Sequence, residues 1–199
     1  KDNMTRNAIQ EERMKRYFIE AAKEIIRGEG IEAVSSRSVA ERAGYSYATL
    51  YNYFKDVRDL VFCCVDDFLD ECRRSIEEAP ASKRNSLAGV TRLYASFMIQ
   101  YPGIFSLLFL QKPSDLSTKP SDLEKIDSFF ATLTEPYWKE ITEALRKDRN
   151  LSDSQLAAAK LAHENAVTGL LTCYINRRKN VPYRTFMTML EDASAAVIR

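Results

Sequence analysis

The stretch Val39-Ala40-Glu41-Arg42-Ala43-Gly44-Tyr45-Ser46-Tyr47-Ala48-Thr49-Leu50-Tyr51-Asn52-Tyr53-Phe54-Lys55 decides how this chain is read. Two short helical patterns flank one glycine. Gly44 supplies the left-handed or closely packed turn that ends the first helix, and Ser46 offers a hydroxyl to an exposed amide at the start of the second. Leu50 and Phe54 lie four residues apart, so they share a face and pack inward with Val39, Ala40 and Ala43. That leaves Tyr47, Thr49, Tyr51, Asn52 and Tyr53 outside or at the rim. The second helix, expected over Ser46–Phe54, is the candidate recognition element.

Upstream, a longer helix is expected from about Ala8 to Arg27. Its stripe is Ile9, Tyr17, Phe18, Ala21, Ala22, Ile25 and Ile26, at three- and four-residue spacing. Gly28 and Gly30 end it, and Ser35 opens the short helix that reaches Ala43. Three helices of this kind form a compact unit that can hold one helix against DNA. Tyrosine hydroxyls, Thr and Asn can meet phosphates or base edges, and the unmatched amides at the Ser46 end suit an anion. Arg37, Lys55 and Arg58 add positive charge. From Ala33 to Arg58 the balance is only +2, from Arg37, Arg42, Lys55 and Arg58 against Glu41 and Asp56.

The wording of this segment closely resembles the N-terminal helix-turn-helix of TetR-family transcriptional regulators. Gly30 and the Ser35-Ser36 helix start match as well, and the resemblance runs from about Ala8 to Leu60. It implies an all-α homodimer with an N-terminal three-helix helix-turn-helix DNA-binding domain over residues 1–55. A larger helical effector-binding and dimerisation domain over residues 56–199 follows. Its carried-over DNA contacts are Ser36 and Arg37 at the second helix start, and Ser46, Tyr47, Ala48, Thr49, Tyr51, Asn52 and Tyr53 on or beside the recognition helix. The family often places a phosphate-binding Lys where this chain has Val57; Lys55 and Arg58 are the substitutes at hand. Tyr47 also stands where the family commonly has a small or basic residue.

Beyond Asp56 a long helix is expected to about Ala79, with Leu60, Cys63, Cys64, Phe68, Leu69 and Cys72 at helical spacing before Pro80. Further helices are expected at about Asn85–Gln100, Pro102–Gln111, Asp122–Lys147, Ser152–Arg178 and Pro182–Ile198. Pro136 lies inside the third of these and predicts a kink or split there. Lys112–Ser121, with two prolines and three serines, reads as a loop.

The aromatic residues of this region are numerous enough to line a cavity, and a helical bundle needs such residues for its core in any case. The candidates for contact with a small-molecule effector are Phe97, Met98, Tyr101, Phe105, Phe109, Phe130, Trp138 and His163. His163 either orients a polar group there or is a satisfied structural residue. Two stripes on the last helices, one with Ala162, Ala166, Gly169, Leu170, Cys173 and Tyr174, the other with Phe186, Met187, Leu190, Ala193 and Val197, fit a four-helix dimer interface. They fit the core of one subunit equally. Arg177, Arg178 and Lys179 offset exposed carbonyls at a helix end.

The whole composition narrows the field. With 199 residues and 45% hydrophobic content the chain can bury a substantial core. Its 29 Lys plus Arg against 28 Asp plus Glu name no polyanionic partner, so the DNA argument is local. Apolar runs fall far short of a membrane span. The polar, charged segment Lys1–Arg16 has no signal-peptide pattern, which predicts a cytoplasmic protein. Four cysteines without CxxC spacing read as free thiols, and one histidine makes a zinc site unexpected; no cofactor is expected. No nucleophile elbow or phosphate-cradling glycine loop supports an enzyme. The remaining alternative is an all-α carrier or protein-interaction module without DNA binding, favoured by the near-neutral charge.

Overall fold

In the computed structural model, residues 2–112, 116, 119–149, 151–177 and 180–196 are described, with side chains from residue 7 onward except 148–149. Every regular element among them is helical. In order they are α1 (Asp2–Glu29), a 3-10 turn (Ile31–Ala33), α2 (Ser36–Ala43), α3 (Tyr47–Leu50), α4 (Val57–Glu77), α5 (Ala81–Arg84), α6 (Leu87–Gln100), α7 (Pro102–Phe109), α8 (Pro120–Asp127), α9 (Phe129–Arg149), α10 (Asp153–Ile175) and α11 (Tyr183–Ala196). Two compact units result. The first comprises residues 1–70 and 101–126, the second residues 71–100 and 127–199.

The first unit is built on α1. Phe18, Ala21, Ala22, Ile25 and Ile26 are buried as the stripe predicts, whereas Ile9 and Tyr17 remain exposed. Phe18 organises the small helices. Its ring centroid lies 5.6 Å from that of Tyr45, 6.1 Å from Tyr53 and 6.3 Å from Phe54. Aromatic rings at such tilted and edge-on separations add to the burial they contribute. On another side, α7 approaches so closely that a Cβ on Gly103 would stand 2.3 Å from the Ile26 carbonyl oxygen, so only glycine fits there.

In the second unit α6, α9, α10 and α11 pack against one another. The Ser152 hydroxyl accepts the Gln155 amide at 3.3 Å, and Gln155 Oε1 accepts the Ser152 amide at 2.9 Å. This reciprocal cap sets the start of α10.

Several boundaries differ from the sequence expectation, among them the start of α1, at Asp2 rather than Ala8, and that of α8, at Pro120 within the expected loop. The helix expected at Asn85 is two elements, α5 and α6. The segment expected as one helix from Asp122 breaks at Ser128, while α9 runs on through Pro136. Proline removes one intrahelical hydrogen bond, and the remaining turns of a 21-residue helix carry the element past it. The recognition helix is shorter than expected and ends at Leu50; residues 51–53 follow as turns, with the Tyr53 and Phe54 amides bonding the Leu50 carbonyl at 3.0 and 3.1 Å. Val197, Arg178 and Lys179, expected in a stripe or at a helix end, lie outside the described residues, as does Pro113 of the expected loop.

Among the described residues no helix is long and apolar enough to cross a membrane. Among them too, no group of three or more His, Cys, Asp or Glu is placed to hold a metal ion.

Candidate nucleic-acid interface

The helix-turn-helix is set by local chemistry at three residues. Ser35 Oγ accepts the Ser38 amide at 3.1 Å while Ser38 Oγ accepts the Ser35 amide at 2.9 Å, closing both donors at the start of α2. Gly44, with φ 77°, ends α2 in the left-handed region and sends its own amide to the Glu41 carbonyl at 3.1 Å. Ser46 Oγ accepts the Thr49 amide at 3.2 Å and opens α3. The caps and the turn thus satisfy the Ser35, Ser38, Gly44 and Thr49 amides from within the segment.

Burial divides α3 as the sequence predicts. Leu50 and Phe54 lie inside with Val39 and Ala40; Ala43 is half-buried. Tyr47 is 62% exposed and Tyr51 47%, and Ala48 and Asn52 are exposed too. Thr49 and Tyr53 sit at the rim. The hydroxyls of Ser46 and Thr49 are 2.9 Å apart, so each already has one partner. Ser36 is half-buried at the first position of α2, and Arg37 beside it is exposed. The outward face is therefore polar, uncharged and aromatic, with one adjacent guanidinium.

At the start of α4 the charge is partly internal. Asp56 Oδ1 accepts the Asp59 amide at 2.9 Å, and this bond, with Arg58 and Lys55 nearby, holds the Asp56 carboxyl below the usual carboxylate range. Arg58 lies 3.6 Å from Asp56, and the Lys55 amide donates to Asp59 Oδ2 at 3.1 Å. Both cationic side chains remain exposed and can reach a phosphate, but Arg58 must share itself with Asp56. Val57 occupies the first position of α4 and carries no charge.

The effector candidates fall into two groups. Tyr101, Phe105 and Phe109 belong to the first unit: Arg27 stands 5.5 Å from the Tyr101 ring, and the Phe105 and Phe109 rings are 5.0 Å apart. Phe97, Met98, Phe130, Trp138 and His163 belong to the second. There Phe130 stacks on His163 at 5.8 Å, and Trp138 meets the same imidazole edge-on at 5.7 Å. Tyr94, another aromatic residue of this region, and Ser194, which the sequence did not single out, complete this cluster. Tyr94 packs on Phe130 at 4.7 Å, and Ser194 Oγ lies 3.0 Å from His163 Nε2. Ser194 stands 31 positions from His163, and no local pattern joins the two.

The candidate dimer residues also divide. Ala166 is exposed and Leu170, Cys173 and Tyr174 are half-buried, whereas Phe186 and Leu190 are 2% exposed. The last two are therefore core, not surface: Phe186 stacks on Tyr174 at 4.2 Å inside the unit. On α10 and α11 the exposed apolar residues include Leu161, Ala162, Ala166, Gly169, Tyr183 and Met189.

A capped helix-turn-helix with an exposed polar-aromatic face places the molecule among the helix-turn-helix DNA-binding proteins. Residues 18–62 match the family of bacterial regulatory proteins, tetR family. That match covers the helix-turn-helix segment and identifies it as similar to the DNA-binding region of these regulators. No curated protein matches it significantly. Its fold is similar to that of SCO4313, a protein assigned a regulatory role, at 18% identity and TM-score 0.71, with 96% of this chain and 97% of that one covered. A Rhodococcus sp. protein assigned to the TetR-family transcriptional regulators aligns at 19% identity and TM-score 0.67, covering 94% of this chain and 100% of that one. A TetR transcriptional regulator from Rhodococcus sp. RHA1 aligns at 18% identity and TM-score 0.60, covering 95% and 97%.

Proposed function

We propose that this protein is a ligand-responsive repressor acting in the cytoplasm as a homodimer on a pseudo-palindromic operator, without catalytic activity. Residues 1–55 serve as the DNA-binding domain and residues 56–199 as the effector-binding and dimerisation domain. The observation that carries the reading is the outward placement of Tyr47 on α3 and of Tyr51 and Asn52 in the turns after it, held by the Ser46 cap and the Gly44 turn. Tyr47, Tyr51 and Asn52 read the major groove; Ser36, Arg37, Lys55 and Arg58 fix the register on phosphates, with Ser46, Ala48, Thr49 and Tyr53 at the edges of the contact. Two copies present their recognition helices about one DNA turn apart, roughly 34–36 Å.

The exposed small and apolar residues of α10 and α11 support the dimer, since they allow two helix pairs to approach closely. Release follows when an effector favours a spacing of the two helices that no longer matches the duplex, through α4. The test is selection from a random duplex library at low salt, followed by gel-shift titration of the selected site. A folded dimer that selects no sequence would overturn this function. A carrier without DNA binding would retain ligand affinity in Arg37→Ala and Tyr51→Ala and show no other loss.

A further inference from the structure

Thr91 Oγ1, Trp138 Nε1 and His163 Nδ1 are buried polar atoms of the second unit with no hydrogen-bond partner among the described residues. Their residues are 0%, 2% and 0% exposed. Folded proteins leave few such atoms, because each has given up water without replacement. Two of the three stand in one aromatic cluster, where the His163 ring lies 5.7 Å from Trp138 and 5.8 Å from Phe130. Thr91 is on α6, one turn before Tyr94 of the same cluster.

The hydrogen positions follow from Ser194. Its Oγ donates its one hydrogen to the Leu190 carbonyl at 3.0 Å. It must therefore accept from His163 Nε2, 3.0 Å away, which puts the ring hydrogen on Nε2 and leaves Nδ1 as a bare acceptor. The indole Nε1–H of Trp138 is a donor only. What these two groups lack is one donor and one acceptor, which a single hydroxyl or amide supplies.

The surroundings select against charge. Burial pushes the imidazole down to about 4, and pushes the Glu164 carboxyl and the Tyr94 hydroxyl upward, each toward its neutral form. The ring faces of Phe130 and Tyr94 are apolar.

We propose that Trp138 and His163 form the polar end of an effector site that takes an uncharged, largely apolar molecule whose hydroxyl or amide donates to His163 Nδ1 and accepts from Trp138 Nε1. The proposal rests on the reading of the protein as an effector-controlled regulator and names the chemical class of that effector.

Trp138 is the single tryptophan, so its emission reports on this site alone. The full-length protein is titrated with phenol, with toluene, which lacks the hydroxyl, and with benzoate, which carries a charge. Phenol is expected to change the emission saturably and to bind about tenfold more tightly than toluene, with benzoate weaker than phenol. In His163→Phe, which keeps a ring and loses both nitrogens, phenol and toluene are expected to agree within about twofold. Should that variant fail to fold, Ser194→Ala serves: the ring hydrogen is no longer held on Nε2, and the preference for phenol falls.

Three results overturn the proposal: no saturable change with any probe, equal affinity for phenol and toluene, or an undiminished preference in the folded variants. Affinity for the selected operator is measured in the same samples without probe. Failure to bind DNA sinks the regulator and leaves the binding result standing, so the two failures are distinguishable.

Discussion

Lys23 Nζ on α1 lies 2.8 Å from Asp67 Oδ2 on α4, and the lysine side chain is 1% exposed. Glu20 reaches the same ammonium at 3.3 Å, and Arg16 bonds Asp67 at 2.9 Å, so four side chains tie the base of the DNA-binding helices to the helix that leaves them. A buried ammonium is tolerated only while its carboxylates remain. Asp67→Asn keeps the shape and removes the charge, and is expected to cost about 1–3 kcal/mol, the 22% exposure of Asp67 moderating the loss. Lys23→Met, which removes the buried charge itself, is expected to cost less. Urea midpoints of the two variants check the order.

The outward tyrosines are expected to separate DNA affinity from stability. Tyr47→Ala and Tyr51→Ala remove largely exposed rings, so unfolding midpoints should stay within about 0.5 kcal/mol of the parent while binding to the selected operator falls. Arg37→Ala is expected to weaken all duplexes alike and to lower the salt slope by about one. Gel-shift titration at several salt concentrations distinguishes the two patterns.

Gly103→Ala is expected to destabilise by about 1–3 kcal/mol, because the new methyl would overlap the Ile26 carbonyl and force α7 off α1. Gly44→Ala acts differently. Open space surrounds Gly44, and the cost of about 1 kcal/mol is that of holding an L-residue at φ 77°. Thermal unfolding of both measures the contrast between a steric and a conformational penalty.

His163 makes stability depend on pH. Its folded pKa, about 4, lies below the ordinary 6.5, because burial disfavours the imidazolium. Between those values the unfolded chain binds the extra proton, so stability is full above pH 6.5 and falls as pH drops toward 4, by up to roughly 3 kcal/mol. His163 is the single histidine, so one imidazole resonance, followed by NMR, reports its midpoint directly. His163→Phe is expected to flatten this part of the stability profile.

The proposed dimer makes a simple demand. Ala166→Glu and Leu161→Glu place charge on the exposed face of α10 and leave the core of the unit untouched. Sedimentation should then give the 22.8 kDa of one chain where the parent gives twice that mass. A parent that sediments as a single chain removes the dimer from the mechanism.

Reading residues in order was enough for the helix-turn-helix because its decisive interactions are short. Ser35 caps Ser38, Gly44 turns in place, and Ser46 caps Thr49, all within three residues of one another. Leu50 and Phe54 are inward for an equally local reason, the turn in which the Phe54 amide bonds the Leu50 carbonyl at 3.1 Å. Folding contributed what lies between distant segments: the Lys23–Asp67 pair is 44 positions apart and the His163–Ser194 bond 31. Phe186 and Leu190 carry the same periodicity whether a helix faces its own neighbours or a second copy, and packing alone put them inside. Periodicity records which residues avoid water; which partner excludes it is set by contacts between segments that are distant in the chain.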